Sequence, residues 1–438
     1  MKTIYTILFC LTAVLCITSC TDKLSEEQNM NSPIYMDYGT LRSSVQPAAA
    51  RPLVRPGKIY FKDDYLLIVE QREGIHLIDV SNPGNPQNKL FIEAPGCTDI
   101  AIKNNSLYVD SYVDLVTIDL SDIAHPKESN RLKEAFPYTL PAPALENQKL
   151  PYADVDQKKG VVVDWEVKRV KLELERRYYP PYPIYYTDAL KEYRATNSGT
   201  YGGYDTSGST SSAVSFGKSG SMARSGLYDK YLYIADDYSL YLFNVDNATA
   251  PVNAGKLTLY NTIETMFIYD HHLFFGTPTG MLVYDLRVPS APVYKNQFWH
   301  VTSCDPVVVQ DGYAYITLRG GTACNNSNVN RLDVVECSEN YTKYTLINSY
   351  NLTEPYGLGI DNNNLFICDG RAGLKVYDVV DKKNIDQNMI AFFPDIQTYD
   401  VIPVSGYLFM IGSDGFYLYD YSDIQDIRQI GHIPVEKE

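Results

Sequence analysis

The sequence predicts an all-β fold, a seven-bladed β-propeller of four-stranded blades with a long insertion between blades 2 and 3. Three observations carry this. A short apolar strand closing on an acid or Asn recurs, as in Ile75 to Asp79, Leu115 to Asp119, Leu240 to Asn244, Met281 to Asp285, Leu374 to Asp378 and Phe416 to Asp420. A weaker copy runs from Leu332 to Glu336. Strands of the Leu-Tyr-Val type precede them, anchored at Leu66, Leu107, Leu232, Leu273, Ala314, Leu365 and Leu408, with spacings of 41, 125, 41, 41, 51 and 43 residues. A Pro/Asx turn cluster follows the closing residue, for example Ser81 to Pro86 and Asn247 to Pro251. Four short strands per unit of about 40 residues is the period of a propeller blade. One such sheet cannot bury both faces, but blades stacked around an axis cover one another.

At the N-terminus, residues 1–19 read as an export signal. Lys2 supplies the positive start, and Ile4 to Ile17 is apolar but short for a bilayer span. It ends in Ser19-Cys20, which resembles a bacterial lipobox and implies lipidation at Cys20. The alternative is an ordinary secretory signal with an incidental Cys. Residues 20–50 read as a polar, then Pro/Ala-rich tether. Within it, 33–46 resembles a fourth strand and is expected to pair with the last blade and close the ring. An outer-membrane lipoprotein, periplasmic or surface-exposed, is the expected address.

Blades 1 and 2 occupy 51–138, starting near Lys58 and Cys97. Residues 139–221 form the insertion, because the 125-residue interval is one period plus 84 residues. Two degraded blades would fit that length. However, Tyr178 to Tyr186 is a Tyr/Pro run and 196–221 is Gly/Ser/Thr-rich, and neither reads as a blade. Blades 3–7 occupy 222–438, starting near Met222, Ile263, Cys304, Pro355 and Thr398.

Eight Cys are present. Removal of the signal and lipidation of Cys20 leave five, an odd number that cannot pair completely within the chain. Cys324 and Cys337 flank one loop and are the candidate disulfide. Cys97, Cys304 and Cys368 sit in or beside apolar strands and read as buried small hydrophobes.

The copies resemble the LVIVD repeat, over residues 58–138 and 222–435. Gly57 to Tyr60, Asp110 to Leu115, Asp164 to Val167 and Gly220 to Arg224 are similar to segments of lipoproteins carrying it. The resemblance implies a propeller and an exported lipoprotein of Gram-negative bacteria, and no established chemistry.

Propeller geometry places the start of each inner strand, and the loop after each second strand, at one mouth of the channel. The candidate ligand-binding residues there are Asp99, Tyr112, Arg224, Glu264, Asp305, Tyr356, Arg371 and Asp400. The ring is rich in carboxylates with Tyr between, which suits a polar ligand, a glycan or a protein segment. Wet channel mouths are polar for no such reason, and that reading competes for each single residue. The insertion leaves from this same face.

The net charge of −15 argues against nucleic acid and against a polybasic membrane face. No Gly-x-Ser-x-Gly, Walker loop, Gly-x-Gly-x-x-Gly, Cys-x-x-Cys or His-Glu-x-x-His occurs. No metal and no cofactor are expected, and no catalytic residue is assigned. A noncatalytic binding or scaffold protein is the favoured reading. A hydrolase or lyase using paired carboxylates such as Asp99 with Asp305 or Asp400 is the alternative.

Overall fold

The computed structural model describes residues 25–173, 184–185, 218–301, 306–321 and 329–436. The signal, Cys20, Cys304, Asp305 and Cys324 therefore lie outside the described residues. So does the Tyr178 to Tyr186 run, apart from Ile184–Tyr185.

Seven antiparallel blades stand in a ring, each built on four consecutive strands. Blade 1 is Pro56–Lys62, Tyr65–Glu70, Gly74–Asp79 and Gln87–Glu93. Blade 2 is Ile100–Lys103, Ser106–Ser111, Asp114–Asp119 and Lys127–Leu132. Blades 3 to 7 begin at Ser225–Tyr228, Thr265–Tyr269, Val307–Gln310, Leu358–Asp361 and Asp400–Val404. The first strands of neighbouring blades touch all the way round, blade 7 to blade 1 included, so they line the channel.

The repeated sequence signals have repeated local causes. First and second strands join through tight turns whose first residue takes a left-handed backbone: Asp63, Asn104, Asp229, Asp270, Asp311, Asn362 and Ser405, all at φ between 45° and 54°. Short Asx side chains tolerate that conformation, and two-residue hairpin loops require it. The third-strand acids cap the turn that follows. Asp79, Asp119, Asp378 and Asp420 accept from the N–H two residues on, at 2.7–3.0 Å, and Asn244 does the same. The outer ladder of every blade carries one register shift, which adds the twist that a wedge-shaped blade needs.

The core lies between blades. Phe267, Phe274, Tyr315 and Val334 belong to one cluster spanning blades 4, 5 and 6, and Phe366, Phe409, Phe416 and Ile68 belong to one spanning blades 6, 7 and 1. Second-strand tyrosines put the ring in this layer and the hydroxyl on the neighbour. Tyr108 donates to Ala248 O at 2.8 Å, and Tyr233 to Pro289 O at 2.7 Å. Much of the tyrosine excess, 38 against 2 Trp, is thereby structural.

The N-terminal segment departs from expectation. Residues 33–46 do not join blade 7, which has its own outer strand, Arg428–Pro434. Instead Ser25–Met36 pairs antiparallel with Val161–Glu173 of the insertion. Gln46–Ala49 then adds a strand to the outer edge of blade 1. The reason is visible in Met30 and Asn31. Both are fully buried, and Asn31 donates to Asn147 O and Leu150 O of the insertion. At the junction of blades 7 and 1, Leu53 bridges Val435 and accepts from Glu436 N at 2.8 Å. Residues 25–49 are thus part of the folded body.

The insertion also returns unexpectedly. Lys218–Ser219 pairs with Phe61 and Tyr60 on the channel side of blade 1, and Gly220 N donates to Ile59 O. Ser221 Oγ donates to Asp400 of blade 7 and accepts from Leu358 N of blade 6. Residues 218–222 therefore run inside the channel before blade 3 begins.

Candidate functional site

The inner-strand starts of blades 1, 2, 3 and 7 meet under the insertion. They enclose a cavity of about 150 Å³. Its floor is charged. Lys58 Nζ lies 3.2 Å from Asp99 Oδ2, which also accepts the Arg224 backbone N–H. The Arg224 guanidinium pairs with Asp237 at 2.7 Å and donates to Ile263 O at 3.2 Å. Asp110 accepts from Thr98 N, Thr98 Oγ1 and Asp99 N, fixing the start of blade 2. Asp400 accepts from Ser221 N, Ser221 Oγ, Met222 N and Val401 N.

Burial sets the electrostatics. It lowers the Lys58 ammonium pKa and raises the Asp110 carboxyl and the Tyr112 phenol. It pushes the Asp400 carboxyl up to about 7, against the pull of its four donors. Glycine is needed where backbone crosses these groups. A Cβ on Gly220 would sit 2.0 Å from Asp400 Oδ2, and one on Gly357 would sit 2.4 Å from Oδ1. At Gly96, with φ +85°, a Cβ would meet the Tyr112 ring at 2.4 Å.

The walls and roof are apolar and aromatic. Tyr112, Tyr241, Tyr399, Ile234, Ile411 and Met222 form the sides, and Phe136, Pro137, Leu140 and Pro141 form the roof. Phe136 donates its N–H to Val113 O and sets its ring edge-on to Tyr241, with centroids 5.5 Å apart. Trp165, in the ribbon that the insertion strand Val161–Glu173 forms with Ser25–Met36, donates Nε1–H to Pro141 O at 2.6 Å and packs on Tyr152. The ribbon therefore holds the roof.

Of the residues singled out from sequence, the cavity gathers Asp99, Tyr112, Arg224 and Asp400. Tyr356 is one layer back. Its ring touches Tyr399 on one side and carries the Arg319 guanidinium, 4.0 Å from its centroid, on the other. Glu264 is buried in blade 4 outside the cavity lining. Arg371 is exposed and pairs with Glu354 at 2.7 Å. Asp305 lies outside the described residues. The roof and Tyr241 escaped sequence reasoning, whereas Asp236 follows from the rule that puts the loop after each second strand at this mouth. The alternation of Pro and aromatic residues from Phe136 to Pro141 was the available signal.

Among the described residues no three His, Cys, Asp or Glu side chains cluster to hold a metal. Cys337 is buried beside Val335 O, and its expected partner Cys324 is outside the described residues. Among those residues, no helix is long and apolar enough to cross a membrane.

Fold and site together define a seven-bladed propeller with one mouth partly roofed over a ring-sized cavity. Residues 57–91 and 96–133 match the LVIVD repeat. The chain is thus a β-propeller whose first two blades carry that repeat. No curated protein matches. Among solved structures, it is similar to a periplasmic gluconolactonase of Pseudomonas aeruginosa at 9% identity and TM-score 0.48, covering 86% of this chain and 98% of that one. It is also similar to the computationally designed Ika8 protein, at 8% identity and TM-score 0.47, covering 90% and 92%. A putative 6-phosphogluconolactonase of Bacteroides fragilis gives 8% and 0.43, covering 82% and 92%. These likenesses concern the fold alone.

Proposed function

We propose that the protein is an exported, lipid-anchored propeller that binds a glycan at the roofed channel mouth without transforming it. The cavity is the observation that carries this reading. A volume near 150 Å³ accommodates about one six-membered ring. Aromatic and proline walls suit the C–H faces of a sugar, and hydroxyls would meet Asp99, Arg224 and Lys58 on the floor. Those charges are already paired, which favours orienting a ligand over attacking it. The anchor would be Cys20, on the resemblance of its surroundings to a lipobox.

The test is a glycan array followed by calorimetry on the chain from Thr21. The start is chosen because residues 25–49 belong to the folded body. Ile234→Trp would fill the cavity and should abolish binding. If no glycan binds, or if binding survives the filled cavity, the reading fails. Replacing Cys20 by Ala should move the protein from the membrane fraction to the soluble one.

One observation favours a hydrolase or lyase as second reading. A carboxyl titrating near 7 at a cavity wall is suited to general acid work, and Asp400 is such a group. Turnover on a polysaccharide panel that disappears in Asp400→Asn would select this reading.

A further inference from the structure

Resting on the glycan reading, we infer that the ligand is an extended neutral polysaccharide, and that an aromatic rim on blades 3 and 4 holds the part of the chain outside the cavity. Ala235 and Asp236 line the cavity at the loop between the second and third strands of blade 3. Asp236 is the hinge between cavity and rim. It accepts from Tyr241 Oη inside the cavity and from Tyr238 N outside it, both at 2.8 Å. The Tyr238 side chain turns to solvent at 58% exposure. The loop into blade 4 folds against it, with Leu259 N donating to Tyr238 O at 2.7 Å, and that loop presents Tyr260 at 95% exposure. On blade 4, Trp299 ends the outer strand opposite Gly280, on the same face, and is 68% exposed.

Exposed apolar residues scattered singly carry no message, but three large rings at one end of two neighbouring blades mark a candidate recognition surface. The exposed aliphatics Val252 and Val293 begin their outer strands at the opposite end of these two blades. The channel end of blades 3 and 4 offers the rings of Tyr238, Tyr260 and Trp299 beside the aliphatic Val301, while exposed Tyr294 joins Val252 and Val293 at the opposite end. Such rings stack on sugar C–H faces while the hydroxyls stay wet. Asp236 beside them, and a net charge of −15, oppose a polyanion and select a neutral chain. Continuity through Asp236 makes cavity and rim one path, with a chain end in the cavity and following units across Tyr238, Tyr260 and Trp299.

The test uses disaccharides and hexasaccharides of glucose, mannose and xylose in calorimetry. It compares the wild type, the rim variant Tyr238→Ala/Tyr260→Ala/Trp299→Ala and the cavity variant Ile234→Trp. Wild type should bind the hexamer of its preferred sugar about tenfold more tightly than the dimer, the gain of one or two stacked rings. The rim variant, with an unchanged melting temperature, should bind both lengths with the affinity of the dimer. A hexamer advantage that persists in the rim variant overturns the inference, and so does a wild type indifferent to length. Loss of the dimer from a folded rim variant also overturns it, because cavity and rim would then not be separate. Failure of wild type to bind any probe would instead sink the glycan reading itself.

Discussion

Beside its strand on blade 1, the N-terminal segment should be fastened to the ring through one buried carboxylate, Asp114. Its side chain is fully buried at the start of the third strand of blade 2. Arg42, just after a short helix at Tyr38–Leu41, reaches it with Nε at 2.9 Å and Nη2 at 3.2 Å. Arg131 Nη1 adds a contact at 3.2 Å, and Glu134 N another at 3.0 Å. Asp114→Ala strands these donors. Removing one partner of a buried pair costs about 3–5 kcal/mol. The lower end applies, because Arg131 keeps Glu128 at 2.6 Å and Arg42 is 21% exposed and can turn to water. The assay is urea unfolding followed by Trp165, which sits in the ribbon, in a Trp299→Phe background. The midpoint should fall by the equivalent of about 3 kcal/mol with the slope unchanged. Arg42→Ala should then cost little more on top of Asp114→Ala, giving a coupling above about 1 kcal/mol. A loss under about 0.5 kcal/mol, or additive single mutants, would refute the latch.

Other consequences are as direct. Deleting residues 21–50 should lower the melting temperature, since it uncovers Val161–Glu173 and removes buried Met30 and Leu41; an unchanged scan would contradict the fold. Burial raises the Asp400 pKa above its unfolded value, so its proton stabilises the fold below about pH 4, and that contribution is lost as pH rises toward 7. Stability should decline across that window, and Asp400→Asn should flatten the decline. Glu70 behaves oppositely. It accepts from buried His76 at 3.0 Å and from two backbone N–H groups, which hold its pKa down despite burial. Its contribution is present above the unfolded pKa and lost on acidification through the folded one, so Glu70→Gln should remove part of the acid transition. Native protein should leave Cys97, Cys337 and Cys368 unmodified by a thiol reagent, because burial holds all three thiols protonated. Peptide mapping that finds them labelled before unfolding would contradict this.

The blades were legible because every blade solves the same problem. Asp79, Asp119 and Asp420 recur since each third strand must turn, and Asp63, Asn104 and Asn362 recur since each hairpin needs a left-handed residue. The inner-strand rule also placed Lys58, Asp99, Arg224 and Asp400 at one mouth. What it could not say was which part of that mouth would close. That depends on Phe136 to Pro141 and on a ribbon pairing Ser25–Met36 with Val161–Glu173, elements that occur once and so carry no period. Glu264, beside the inner-strand start of blade 4, is buried outside the cavity lining, and Arg371, placed by the loop after a second strand, is exposed and pairs with Glu354. The symmetry of a propeller makes every blade an equal candidate. It is broken where the chain leaves the ring after blade 2 and comes back through the channel at Lys218 to Met222. Function in this molecule should therefore be sought where the repeat is interrupted, and substitutions that spare every blade but unseat Trp165 from Pro141 should open the cavity and leave the ring intact.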